Sequence, residues 1–332
     1  MRLQKDDIIL RKAILHILDA YSGYLRLSDQ LFDIGVDFSE SVRKHLYKML
    51  SGDSAVPIDL TRAKGENVQL LISLDDTQED FIPKTKQLAE NLFDIMCDSV
   101  EIPPADLLCV SFQLESEQYV AFLKMNYKDS YVHQEVEDFS NNIAKRQILS
   151  PSTLQEAMIV NTETKQLFLL EKKFQMLNGD RIFYLSERFL LLLRGKSPKE
   201  KFQFLNRAIL QILNHNPQED LETRIEKRRA LLDFYEEKRT FNIHDIGDSL
   251  FKSNAEQKKE YDKKMELADI AYDEFSIEEE STLKKISYIH LVTDEGIEIK
   301  IPTDQSKKLK TSRSIAGGYT ITLDEIENIR FK

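Results

Sequence analysis

Residues 107–127 read LLCVSFQLESEQYVAFLKMNY, and this stretch decides the fold class. Two β-rich runs, Leu107 to Leu114 and Gln118 to Tyr127, flank the short polar segment Glu115-Ser116-Glu117. In the second run Tyr119, Ala121 and Leu123 alternate with Val120, Phe122 and Lys124, the period of two that a strand imposes. The pattern predicts an antiparallel hairpin with a short turn. A second hairpin is predicted downstream. It comprises Ala157 to Val160, the polar turn Asn161-Thr162-Glu163-Thr164, and Gln166 to Leu170.

Helices are predicted before and beside this sheet. Ile8, Ile9, Lys12, Ile14, Leu15 and Leu18 recur near the helical period and predict an N-terminal helix, followed by a loop around Tyr21 to Ser28. Val42, Leu46 and Leu50 place one apolar stripe on a helix from Ser39 to Leu50, which Ser51-Gly52-Asp53-Ser54 stops. Leu88, Leu92 and Ile95 do the same for Phe81 to Cys97, whereas Val68 to Leu74 reads as short, apolar and β-prone. Pro103-Pro104 breaks the chain before the hairpin.

After Glu171 the character changes. Asn178-Gly179-Asp180 is a turn signal, and the apolar run Phe183 to Leu193 predicts a helix. Ser197-Pro198-Lys199-Glu200 fits a helix start, with proline at the first helical position, and Phe202, Leu205, Ile209 and Ile212 continue the stripe. Further helices are predicted for Asp220 to Arg239 and Ile243 to Phe251. Residues 255–280 hold four lysines against ten acidic residues and read as a solvated helix or linker. Alternation returns in Ser287 to Val292 and in Ile297, Ile299 and Ile301 around the turn 293–296, and Gly317-Gly318 opens a last strand, Tyr319 to Leu323. The expected fold is therefore α+β: an antiparallel sheet with flanking helices, followed by a helical block and a small C-terminal β unit. Expected domains are residues 1–175 and 176–332.

Composition excludes several classes. The 332 residues carry 46 Lys+Arg against 57 Asp+Glu, a net charge of −11, which argues against a basic whole-surface nucleic-acid binder but not against a local cationic patch. The longest apolar run, Phe189 to Leu193, falls far short of the roughly 18–20 residues of a membrane span, so no membrane partner is expected. The first residues lack a signal-peptide pattern, and Cys97 and Cys109 form neither a disulfide framework nor a metal spacing. A reducing cytoplasm is the expected compartment.

No Walker A loop, G-x-G-x-x-G loop or nucleophile elbow occurs, so no cofactor and no enzymatic activity are expected. The sharpest enzyme alternative uses His215, His244, Asp245 and Asp262, in the order of an HD-type metal phosphohydrolase. Against it, Asp245 is explained as first-turn charge at a helix start. A helix-turn-helix reading of residues 243–251 fails because its recognition helix, HDIGDSLF, would turn two aspartates toward DNA. Two cationic clusters remain. Arg224 and Arg228 share a helix face, with Lys227 and Arg229 close by, and Lys307, Lys308, Lys310 and Arg313 lie in what reads as a flexible loop between strands. Such cations can grip phosphates without reading sequence.

Two stretches carry a family resemblance. One runs from Ile159-Val160 through Leu177-Asn178-Gly179 to Phe189-Leu190, and the other joins Gly296-Ile297-Glu298-Ile299-Lys300 to Gly318-Tyr319-Thr320-Ile321-Thr322-Leu323. With the chain's length and acidic balance, they make it resemble the bacterial thirty-seven-kilodalton nucleoid-associated protein family. That resemblance implies a non-enzymatic protein of the nucleoid, associated with DNA directly or through a DNA-bound protein. It assigns no contacting residues; Arg224, Arg228, Lys307, Lys308, Lys310 and Arg313 are candidates on charge alone. A homodimer is compatible with this reading.

Overall fold

The computed structural model describes residues 3–74, 77–135, 141–149, 154–215, 219–314 and 318–326; Gly317 of the predicted turn lies outside them. The chain forms two compact units, Met1–Ser197 and Pro198–Lys332.

In chain order the first unit comprises β1 (Ile8–Asp19), β2 (Tyr24–Arg26), α1 (Val36–Ser51), β3 (Val56–Asp59), α2 (Glu66–Ile72) and α3 (Gln78–Cys97). Then follow β4 (Ala105–Leu114), β5 (Glu117–Glu135), β6 (Asn141–Leu149), β7 (Glu156–Asn161), β8 (Gln166–Leu170), β9 (Phe174–Gln175) and β10 (Arg181–Ile182). Its main sheet is antiparallel in the order β2-β1-β4-β5-β7-β8-β3, with β6 paired to β5. Both predicted hairpins are present: Leu108 pairs with Leu123 and Ile159 with Phe168.

The central strands are covered on both faces. Val110, Phe112, Ala121 and Ile159 pack with Val42, Leu46 and Met49 of α1. Their neighbours Cys109, Val120, Phe122 and Val160 pack with Val68, Leu71, Leu88 and Leu92 of α2 and α3. Burial on both sides removes the polar half of the alternation and leaves continuous apolar strands.

This burial accounts for the main correction. The N-terminal segment is not a helix but the long strand β1, paired with β4 along its length. A bulge at Arg11 shifts the register between Leu10 and Lys12. It places Ile8 and Ala13 on the α1 face although they are five positions apart, an odd offset that a regular strand would send to opposite faces, while Ile14 and Leu18 fall on the other face. A bulged strand with two buried faces thus imitates the helical period.

Two other predicted elements also differ. Residues 66–72 form a helix rather than a strand, because Val68 and Leu71 reach the core at helical spacing. The run from Phe183 to Leu193 makes only one wide helical turn, Leu185–Phe189, and ends where Leu191 adopts a φ of +54°. Buried Glu171 holds that turn: Ser186 donates to it from its backbone N–H (3.0 Å) and its hydroxyl (2.7 Å).

A second carboxylate, Glu156, sits at the centre of the unit, and neither it nor Lys124 reaches solvent. Lys124 Nζ (3.1 Å), Asn126 Nδ2 (2.8 Å) and the Tyr184 hydroxyl all donate to it. Burial pulls the Lys124 ammonium below its ordinary pKa and pushes the Tyr184 phenol well above its own.

The second unit begins with α4 (Pro198–His215), α5 (Leu221–Lys238), β11 (Phe241–Asn242), α6 (Ile243–Phe251) and α7 (Ala255–Leu267). It continues with β12 (Glu274–Phe275), α8 (Glu280–Leu283), β13 (Tyr288–Val292), β14 (Glu298–Pro302), β15 (Leu309–Arg313) and β16 (Tyr319–Leu323). Asp220, Asn242 and Asn254 cap α5, α6 and α7 through their side chains. Helix α6 approaches α7 closely at Gly247, where a Cβ would stand 2.5 Å from the Tyr261 ring. Helix α5 serves two cores: Leu231, Leu232 and Tyr235 join the helical one, while Ile225 packs with Ile289, Ile301 and Leu309 of the hairpins. No helix among the described residues is long and apolar enough to cross a membrane.

Candidate nucleic-acid interface

The segment that reads as a basic loop is ordered. Thr303–Lys308 forms a 3-10 turn, and Leu309–Arg313 is β15, paired antiparallel with β16. Lys310 is of a type depleted in strands and Leu309 is the one large apolar residue of the run, which hides the strand from sequence reading. The turn is tied down from within, since Thr303 is buried and its hydroxyl donates to the Ile286 carbonyl at 2.7 Å.

Strand parity then sorts the cations. Leu309, Thr311 and Arg313 fall on one face of β15, with Lys310 and Ser312 on the other. The first face lies toward α5, where Leu309 and the partly buried Ile321 meet Ile225. At the end of that face Arg313 pairs in register with Tyr319, and its guanidinium lies 5.6 Å from the ring centroid. Arg224 of α5 reaches the same tyrosine, its Nη2 donating to the phenol oxygen at 3.4 Å.

Two arginines from distant parts of the chain thus converge on one half-exposed ring. Neither is in an ion pair among the described residues. Arg224 Nε is buried and has no hydrogen-bond partner. A guanidinium presents five donors in a planar fork, so each of these side chains keeps capacity for an incoming oxyanion.

The remaining candidates differ from one another. Lys307 is exposed on the 3-10 turn, and Lys308 reaches the Glu325 carbonyl at 3.4 Å. Lys310 is bonded to Asp324, which raises its pKa and offsets its charge. Arg228 is buried; it donates to Asn206 Oδ1 (2.8 Å) and to the Lys285 carbonyl (2.9 Å), and burial lowers its pKa to about 10. The sequence does carry a signal for this burial, since Arg228 falls on the helical stripe Leu221, Ile225, Leu232. Lys227 is likewise occupied, by Glu219 and by Gln257 at 2.7 Å. What sequence reading missed is Tyr319; pairing residues 309–313 with 319–323 would have placed it opposite Arg313.

The metal-site residues do not assemble. His215 stands 3.7 Å from Glu260, His244 3.7 Å from Asp248, and Asp262 is bound by Lys258 at 2.6 Å. Among the described residues no three His, Cys, Asp or Glu side chains stand where they could hold a metal ion. Cys109 is buried within the sheet, and burial pushes its thiol well above the ordinary range.

Residues 14–329, nearly the whole chain, match the family model described as nucleoid-associated protein YejK. No curated protein matches the chain.

Proposed function

This chain belongs to the nucleoid-associated protein family that its residues 14–329 match, and from that premise we propose that it binds the DNA backbone directly, without strong sequence preference and without catalysis. One observation carries the reading: Arg224 and Arg313 meet at Tyr319, and neither is held in an ion pair among the described residues, although Asp220 at the start of α5 feels the charge of Arg224. Lys307 and Lys308 on the adjoining turn extend the cationic surface. Lys310, neutralised by Asp324, contributes less, and Arg228 acts by holding α5 in place. The nucleoid is the site of action in this reading.

The net charge of −11 confines attraction to such a patch, so affinity rests on a few phosphate contacts and depends steeply on salt. Four contacts, from Arg224, Lys307, Lys308 and Arg313, give a slope of log K against log salt of about −3.6. Fluorescence anisotropy of a labelled random duplex, titrated with nuclease-treated protein at about 50 and 200 mM salt, reads that slope. Absence of binding at the lower salt rejects direct contact.

A second reading is recruitment by a protein already on DNA. Leu193 and Leu191 favour it, being 99% and 69% exposed at the end of the segment that Glu171 anchors. Partners retained from a nuclease-treated lysate, and lost on Leu191→Ser/Leu193→Ser, support this alternative.

A further inference from the structure

Gripping phosphates needs only charge, yet the candidate interface also carries exposed rings. Tyr319 is 42% exposed, with Arg313 beside its ring and Arg224 at its phenol oxygen. The neighbouring ribbon repeats the arrangement. On β13–β14, Tyr288 is 37% exposed, and the Lys300 ammonium stands 4.5 Å from its ring centroid.

Strand parity fixes the direction of this second ring. Ile289 and Ile301 pair in register and pack with Ile225 and Leu309, so Tyr288, His290, Glu298 and Lys300 fall on the opposite, exposed face. Glu298 is taken by His290 at 3.1 Å, and among the described residues Lys300 is in no ion pair. Each tyrosine therefore holds a cation that no carboxylate pairs with, and each leaves aromatic surface in water.

A duplex has no use for such rings. Its bases are stacked inside, and the surface it turns to a sequence-tolerant protein is phosphate and sugar. An unpaired strand offers phosphates to the cations and a π-face on every base to the aromatics, with cation–π contributions from arginine. Charge and stacking also pull in opposite directions. A duplex carries one negative charge per roughly 1.7 Å and a single strand one per roughly 3.4 Å, so charge alone favours the duplex. A preference for the single strand would report the rings.

Resting on the reading that this surface contacts DNA, we propose that it takes single-stranded DNA in preference to duplex. One unpaired base stacks on Tyr319 and another on Tyr288, while Arg224, Arg313 and Lys300 hold the backbone. Because every base has a π-face, the platform tolerates any sequence.

Fluorescence anisotropy of the full chain with a labelled oligothymidine of about 20 nucleotides, and with a duplex of the same length, at about 50 mM salt, tests the proposal. The parent is expected to bind the strand about tenfold tighter than the duplex. Tyr319→Leu and Tyr288→Leu each remove a ring but keep apolar bulk beside the cation. Each is expected to weaken strand binding about tenfold and duplex binding less than about twofold. Tyr319→Phe loses the hydroxyl and keeps the ring, and is expected to bind the strand as the parent does. A parent that binds the strand no tighter than the duplex, or either leucine variant binding the strand like the parent, would overturn the proposal. So would a Tyr319→Leu protein weakened equally toward both ligands, since the ring would then only position its arginines. The two readings fail separately: duplex binding without strand preference leaves the backbone contact standing, whereas no binding to either ligand rejects DNA contact itself.

Discussion

Lys124 and Arg313 are both cations on β-strands, and their circumstances are opposite. Lys124 lies at the centre of the first unit with 2% exposure, and Glu156, Asn126 and the Pro103 carbonyl take its three protons. Arg313 lies at the end of a two-stranded ribbon in the second unit, exposed, with a tyrosine ring beside it. The first cation is committed to the fold; the second keeps its donors for something else. Arg228 shows that the division does not follow the unit boundary, being as fully engaged in the second unit as Lys124 is in the first. A net charge of −11 therefore says little about partners until each cation is sorted by what it already holds.

The largest effect is expected where the commitment is deepest. Glu156→Gln leaves Lys124 and Asn126 around a neutral amide, and the buried ammonium loses its counter-charge. Loss of one member of a buried pair costs about 3–5 kcal/mol, visible as a lower urea midpoint for the first unit. Lys124→Met/Glu156→Gln removes the charge as well and is expected to recover much of that loss. A Glu156→Gln protein as stable as the parent would mean the network carries no structural charge.

Acid reveals a second committed group. His16 on β1 is fully buried; its Nδ1 accepts from the Ser28 N–H at 3.2 Å, and its Nε2 has no partner. Burial, with a smaller contribution from Lys86, lowers its pKa to about 4. The unfolded chain binds this proton below about pH 6.5 while the folded protein does not, so stability declines as pH falls from 6.5 toward 4. The full difference is up to about 3 kcal/mol. His16→Leu is expected to flatten the melting temperature against pH over that window relative to the parent; an unchanged slope would remove His16 as its source.

A smaller effect separates the two kinds of arginine within one helix. Arg228→Ala leaves Asn206 Oδ1 and the Lys285 carbonyl without their donor and is expected to cost about 1–3 kcal/mol of stability. In the folded protein it leaves the salt dependence of DNA binding as it was. A flatter salt dependence in Arg228→Ala would place Arg228 in contact with DNA and undo the sorting.

Local patterns made much of this architecture legible. The hairpins at 105–126 and 156–170 announce themselves because alternation and polar turns agree, and α1, α3, α4 and α5 because their apolar residues recur at helical spacing. Reading failed where the fold overrides local pattern. The Arg11 bulge disguises β1 as a helix, and the left-handed Leu191 stops a helix that its apolar neighbours would continue. At the candidate interface the clustering of cations was visible in the sequence, but their availability was not. That depends on Asp324 reaching Lys310, on the burial of Arg228, and on a strand pairing that sets Tyr319 beside Arg313.

The central claim is that Arg224 and Arg313 act together at Tyr319 on the DNA backbone, and the salt slope of an Arg224→Ala/Arg313→Ala protein tests it most directly. Anisotropy titrations of parent and variant across about 50 to 200 mM salt are expected to give slopes of about −3.6 and about −1.8, the loss of two phosphate contacts. An equal slope in both proteins, with the variant folded, would contradict the claim and move DNA contact away from this tyrosine.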